Sequence, residues 1–207
     1  MESFFKLKWD RKAPARPLNR EVELRNKIEK SGIDNLTGLW RRELLEPRLN
    51  ELINALKKEN HRAGPTGMVG FAVIFADLDG FKPINDKYGH TVGDGALVDF
   101  GERISSAITR KDVDRVYRYG GDEFVFVLPI EGTEDDFNEK VESTFKRIKG
   151  EVNEDLFTKE GIKLEASMGY AVYKKGDIHK TPEDIIQEAD SEMYKNKIAR
   201  KAGKATQ

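Results

Sequence analysis

Two strand-like runs, VYRY at 116–119 and FVFVLP at 124–129, are separated by only Gly120, Gly121, Asp122 and Glu123. No other feature of this sequence restricts the fold as much. A glycine pair between two such runs signals a hairpin, because glycine takes positive φ at no steric cost. The hairpin makes the two strands antiparallel neighbours. The glycines explain the turn but not the acids. Asp122 and Glu123 repel each other and suit a strand poorly, so something outside local structure must reward their placement.

The segments around the hairpin alternate in period. Leu45, Leu49, Leu52 and Leu56 recur at helical spacing, with Pro47 close to the start of that helix or kinking it. GFAVIFADLD (70–79) is an apolar strand that runs out into acids. Leu97, Phe100, Ile104 and Ile108 mark a second helix, and Phe137, Val141, Phe145 and Ile148 a third. KLEASMGYAVY (163–173) is a further strand. Thr181-Pro-Glu-Asp then opens a last helix, with a capping hydroxyl, proline at the first position and acids behind it. This order predicts an α+β fold, a central, mainly antiparallel sheet flanked by helices. Residues 33–204 read as one domain. Residues 1–32 read as a basic tail and a short helix capped by Asn19 and ended by Ser31-Gly32.

Composition removes several classes of function. A formal net charge of −1 and a pI near 6.4 give no nucleic-acid-binding surface. The chain has no cysteine, which excludes disulfides and thiolate chemistry and suits a reducing cytoplasm. No apolar run approaches the roughly 20 residues of a membrane span. The histidines, at 61, 90 and 179, have no ligand spacing for zinc.

The chemistry concentrates in FADLDGFKPINDKYGHTVGDGAL (75–97), where Asp77 and Asp79 end a strand. Lys82, Asn85, Asp86, His90 and Asp94 follow in what reads as a loop-and-turn region. If the strand ending at Asp77 neighbours the hairpin, Asp77 and Asp122 converge from distant parts of the chain. Carboxylates so placed offer hard oxygen donors to Mg²⁺. Mg²⁺ with nearby lysines is the usual equipment for handling a triphosphate.

The pieces DNLTGL (34–39), DLDGFKPINDKYGHTVGD (77–94), RYGGDEF (118–124) and ADSEMYKNKIARK (189–201) resemble the GGDEF domain of diguanylate cyclases. The resemblance covers roughly residues 33–201, in the family's order and at nearly its spacing. It implies a palm-like nucleotide-cyclase fold in which each of two facing protomers binds one GTP. Each 3′-hydroxyl attacks the other nucleotide's α-phosphate, two pyrophosphates leave, and cyclic di-GMP is the product. It further implies that Asp77, the Leu78 carbonyl and Asp122 hold Mg²⁺, with Mn²⁺ an acceptable substitute. Asp122 also activates the hydroxyl, either as base or through its metal; Glu123 supports metal and ribose contacts, and Lys82 neutralises phosphate charge. Phe81 is a further substrate contact. Lys197 and Lys201 reach the β- and γ-phosphates. Asn85 and Asp94 match the guanine-reading pair, while His90 and Arg118 fall at neighbouring substrate positions without assigned contacts.

Three departures stand out. Lys201 replaces the family's usual arginine. Pro47 is unusual in the first helix. The family's inhibitory-site pattern, Arg-x-x-Asp, reads Lys111-Asp-Val-Asp114, with Arg110 one position off. A catalytically weak module that senses GTP or cyclic di-GMP is the competing reading, but such modules usually damage the signature. A cyclase that uses ATP is a second rival, and Asp94 opposes it.

Overall fold

Strand β2 (Met68–Leu78) is 11 residues long and buried along nearly all of it. Phe71, Val73 and Phe75 belong to one core, and Ala72, Ile74, Ala76 and Leu78 to another on the opposite face. Both faces are covered, which is why this stretch reads as a continuous apolar run and not as an alternating one. The computed structural model describes residues 32–58, 67–108, 110, 113–154, 156–177 and 179–205. From Ile33 onward these form one unit. The expected tail and helix over 1–31, and Lys111, lie outside the described residues.

The sheet has five strands in the order β1-β3-β4-β2-β5. They are β1 (Trp40–Arg41), β2, β3 (Arg115–Gly120), β4 (Glu123–Glu131) and β5 (Ala166–Lys174). Every pairing is antiparallel except that of β1 with β3. Strands β2 to β5, with the helices between them, form a split βαβ arrangement. Helices α3 (His90–Ala107) and α4 (Phe137–Asn153) cover one face through Leu97, Phe100, Ile104, Val141 and Ile148. Helices α1 (Leu45–Lys58) and α5 (Pro182–Ala205) cover the other through Leu49, Leu56, Ile185, Ala189 and Met193. The α+β reading holds, with helices on both faces.

The loop-and-turn reading of 80–94 does not. That stretch is helix α2 (Phe81–Tyr88) followed directly by α3, with only Gly89 between them. Gly89 takes a φ of 86°, which breaks the path between the helices. Pro83 lies in the first turn of α2, where a missing N–H costs nothing. Ile84 is the one fully buried residue of α2, too little apolar signal to display a helical period. Pro47 likewise falls in the first turn of α1, which follows directly on a 3₁₀ turn at Arg42–Leu44.

Helix α5 begins as expected. The Thr181 hydroxyl accepts from the Asp184 backbone N–H at 3.2 Å, and the Asp184 carboxylate accepts from the Thr181 N–H at 2.9 Å. This reciprocal cap satisfies donors that a helix start leaves open. Further along, α5 presses closely on β5. A Cβ on Gly169 would stand 2.0 Å from the Met193 backbone nitrogen, so only glycine permits this approach.

Candidate active site

The register of the sheet assembles the site. Asp77, near the end of β2, lies opposite Glu123 at the start of β4 and opposite Ser167 on β5. The Leu78 N–H donates to the Asp122 carbonyl at 3.1 Å, tying the end of β2 to the hairpin turn. Gly120 pairs with Glu123, so the turn is Gly121-Asp122, with Gly121 at a φ of 48°. The two acids therefore occupy different places: Asp122 in the turn itself, Glu123 at the first position of the strand.

Charge at this spot is crowded. Burial, followed by the charge of Asp77, raises the Asp122 carboxyl above its ordinary pKa. Burial likewise raises Glu123, helped by Asp77, Asp122 and Asp190, while Arg42 opposes the shift. Lys197 answers these carboxylates directly: its Nζ lies 2.5 Å from Asp77 Oδ1. Burial alone would weaken the hold of Lys197 on its proton, but the bond to Asp77 and the charges of Asp79 and Asp122 outweigh it and raise its pKa. Acids whose proton affinity rises through burial and, after it, mutual repulsion are suited to accept a further cation.

The donor set fits Mg²⁺. Among the described residues, no three histidine, aspartate or glutamate side chains form a cation cage by themselves. Asp77, Asp122 and the Leu78 carbonyl offer fewer donors than an octahedral ion needs. That is how Mg²⁺ is usually held, with the remaining ligands drawn from water and substrate phosphates.

The other expected residues lie mostly on α2, α3 and α5. Gly80, at a φ of 79°, precedes α2, whose first two residues are the half-buried Phe81 and the exposed Lys82. The first N–H groups of a helix lack intrahelical partners and favour anions. Asn85, on α2, lies against Gly93 on α3, next to the exposed Asp94. His90 is exposed at the first position of α3. Lys197 and Lys201 line a cleft of about 530 Å³ with Asp79, Gly80, Lys163, Glu165 and Arg200.

Arg118 faces its own turn. Its Nε and Nη2 donate to the Gly121 carbonyl at 3.1 and 3.0 Å, and its Nη1 reaches Asp34 at 3.2 Å. Asp114 is buried and occupied: Arg110 Nη2 lies 2.7 Å from its Oδ1. The same guanidinium reaches the Pro129 carbonyl and, at 3.4 Å, Glu131.

Two supporting residues had no role assigned from sequence. Arg200 bridges Asp79 (2.9 Å), Glu165 (2.8 Å) and the Ala166 carbonyl (2.7 Å). Its position three residues after Lys197 on one helix was the available signal. Asp34 anchors Arg118 and accepts from the Thr37 N–H and hydroxyl. It lies in the DNLTGL piece, but no spacing rule connects it to a residue 84 positions away.

Comparison with known proteins identifies the family. The family described as "Diguanylate cyclase, GGDEF domain" matches residues 31–203. The bifunctional diguanylate cyclase/cyclic di-GMP phosphodiesterase MucR of Pseudomonas aeruginosa is 38% identical over 162 residues, covering 78% of this chain and 21% of MucR. Diguanylate cyclase DosC of Escherichia coli K12 is 35% identical over 178 residues, covering 84% of this chain and 34% of DosC. The chain thus spans well under half the length of either relative. Among solved structures, a sensory box/GGDEF family protein of Caulobacter crescentus superposes with a TM-score of 0.65 at 28% identity, covering 81% of this chain and 99% of that one. Diguanylate cyclase SiaD of Pseudomonas aeruginosa, solved with its activator SiaC, gives 0.68 at 26% identity, covering 88% and 64%. Fold and sequence similarity converge on one conclusion: this chain belongs to the diguanylate cyclase GGDEF-domain family.

Proposed function

We propose that residues 33–204 are the catalytic domain of a diguanylate cyclase, which condenses two GTP molecules into cyclic di-GMP across a pair of identical protomers. The meeting of Asp77, Asp122, Glu123 and Lys197 at the joined ends of β2 and the hairpin carries this reading. The named activities of MucR and DosC support it. The cysteine-free composition suits a cytoplasmic setting, and among the described residues no helix is long and apolar enough to cross a membrane.

In each half-reaction a 3′-hydroxyl oxygen bonds to the α-phosphorus of the facing GTP. The bond from that phosphorus to the bridging oxygen breaks, and pyrophosphate leaves with its electron pair. Asp77, Asp122 and the Leu78 carbonyl would hold Mg²⁺, which when bound supplies neutralising charge at the phosphate and makes the hydroxyl more acidic. Asp122 takes the hydroxyl proton, and Glu123 maintains the negative field around it. Lys82 and the backbone N–H of Phe81, at the start of α2, stabilise charge on the phosphates. Lys197 and Lys201 grip the β- and γ-phosphates from α5.

At the base, the Asn85 amide donates to guanine O6, and Asp94 accepts from N1–H and the 2-amino group. Adenine, with an acceptor at N1, would leave Asp94 facing a lone pair. His90 and Arg118 border the same substrate region.

Pyrophosphate release from GTP with Mg²⁺ tests the site. Asp122→Asn should reduce the rate by about 10²-fold or more, the scale seen when a transition-state charge partner is removed. A variant that keeps the full rate would contradict the assignment.

A further inference from the structure

Helices α2 and α3 meet where Asn85 lies across Gly93. A Cβ built on Gly93 would stand 1.8 Å from Asn85 Oδ1, 2.8 Å from its Cγ and 3.4 Å from its Nδ2. The amide therefore fills the volume that any other side chain at 93 would take. Its oxygen is the end nearest to α3, and its NH₂ stands farther from the Gly93 position. Backbone conformation does not demand glycine here, because Gly93 is not among the positive-φ glycines. Glycine inside a helix is destabilising relative to alanine, so local propensity argues against it as well. Gly95, in the same helix, provides the contrast: a Cβ there would meet nothing within 4 Å.

We infer that Gly93 is a specificity-determining positioning residue, whose bare Cα seats the Asn85 amide with its NH₂ toward the base. The inference rests on the reading of Asn85 and Asp94 as guanine contacts. An asparagine amide is ambivalent, with a donor at one end and an acceptor at the other. Turned one way it complements guanine O6; turned the other way it complements the adenine 6-amino group. Seating the oxygen against Gly93 makes the amide selective. A methyl group at 93 displaces that oxygen and frees the amide to present either end.

The test measures calorimetric binding of the α,β-methylene analogues of GTP and ATP, which do not turn over. Gly93→Ala should lose about tenfold or more of the guanine preference, on the scale of one well-made hydrogen bond. Gly95→Ala should keep the preference. The double variant Asn85→Ala/Gly93→Ala has no amide to displace, so it should fold and bind like Asn85→Ala alone. Full preference in Gly93→Ala alongside a loss in Asn85→Ala would overturn the inference and leave the guanine reading intact. A double variant that fails to fold, or that loses more than Asn85→Ala does, would also overturn it, because Gly93 would then act elsewhere. Undiminished preference in Asn85→Ala would remove the guanine reading itself, and the inference with it.

Discussion

Arg118 holds the turn on which Asp122 is carried, and it does so with more than charge. Three nitrogens of one rigid fork reach two oxygens, the Gly121 carbonyl and the Asp34 carboxylate. Arg118→Ala should cost about 1–2 kcal/mol in denaturant unfolding, a value for partly screened bonds to a charged donor. Arg118→Lys should recover little of that, since one ammonium cannot span both acceptors. Burial would raise the Asp34 carboxyl, but its bonds from Thr37 and Arg118 outweigh burial and lower it. Its stabilising contribution is therefore present above the unfolded value near 3.8 and disappears as pH falls through the lower folded value. Acid titration of stability should show this loss in the wild type and not in Asp34→Asn. Asp77 and Asp122 stand out in the sequence as acids where a strand disfavours them, whereas Lys197 stands out only through the resemblance carried by ADSEMYKNKIARK. Arg200 and Asp34 do not stand out, because they act through partners brought near only by the fold.

Close approach of elements sets where Lys197 can reach. Helix α5 lies directly over β5 at Gly169, and Asn196 Nδ2 donates to the Met168 carbonyl at 2.9 Å just beyond. Gly169→Ala would force backbone against backbone, which no rotamer change relieves. It should destabilise the fold by roughly 1–3 kcal/mol, the usual range for overpacking. It should also lower activity beyond that loss, by lifting Lys197 from Asp77; thermal unfolding together with the rate measured well below the transition separates the two effects. The long helices α1 and α4 are readable from period, because Leu45–Leu56 and Phe137–Ile148 each bury a regular face. Strand β2 is readable as a continuous apolar run because both of its faces are covered. Two elements are not readable. Strand β1 has two residues, too few for any period. Helix α2 hides behind glycines and a proline that read as loop in sequence but occupy a helix start and a helix end in space.

At the scale of the whole molecule, one domain supplies half of the proposed reaction centre. Specific activity should therefore rise with protein concentration until protomers are paired; a constant value down to nanomolar protein would contradict a shared centre. Feedback should be weak, because Arg110 already occupies Asp114 and its fork is spent on Asp114, Glu131 and the Pro129 carbonyl. Tight inhibition by cyclic di-GMP would show that Arg110 releases Asp114 to the ligand. The central claim is that the carboxylates joined at the ends of β2 and the hairpin build a phosphodiester from GTP. The mass of the nucleotide formed when the wild-type chain is incubated with GTP and Mg²⁺ tests this most directly. Cyclic di-GMP is expected, with one pyrophosphate released for every GTP consumed; GTP recovered intact at protein concentrations that sustain pairing would contradict the claim.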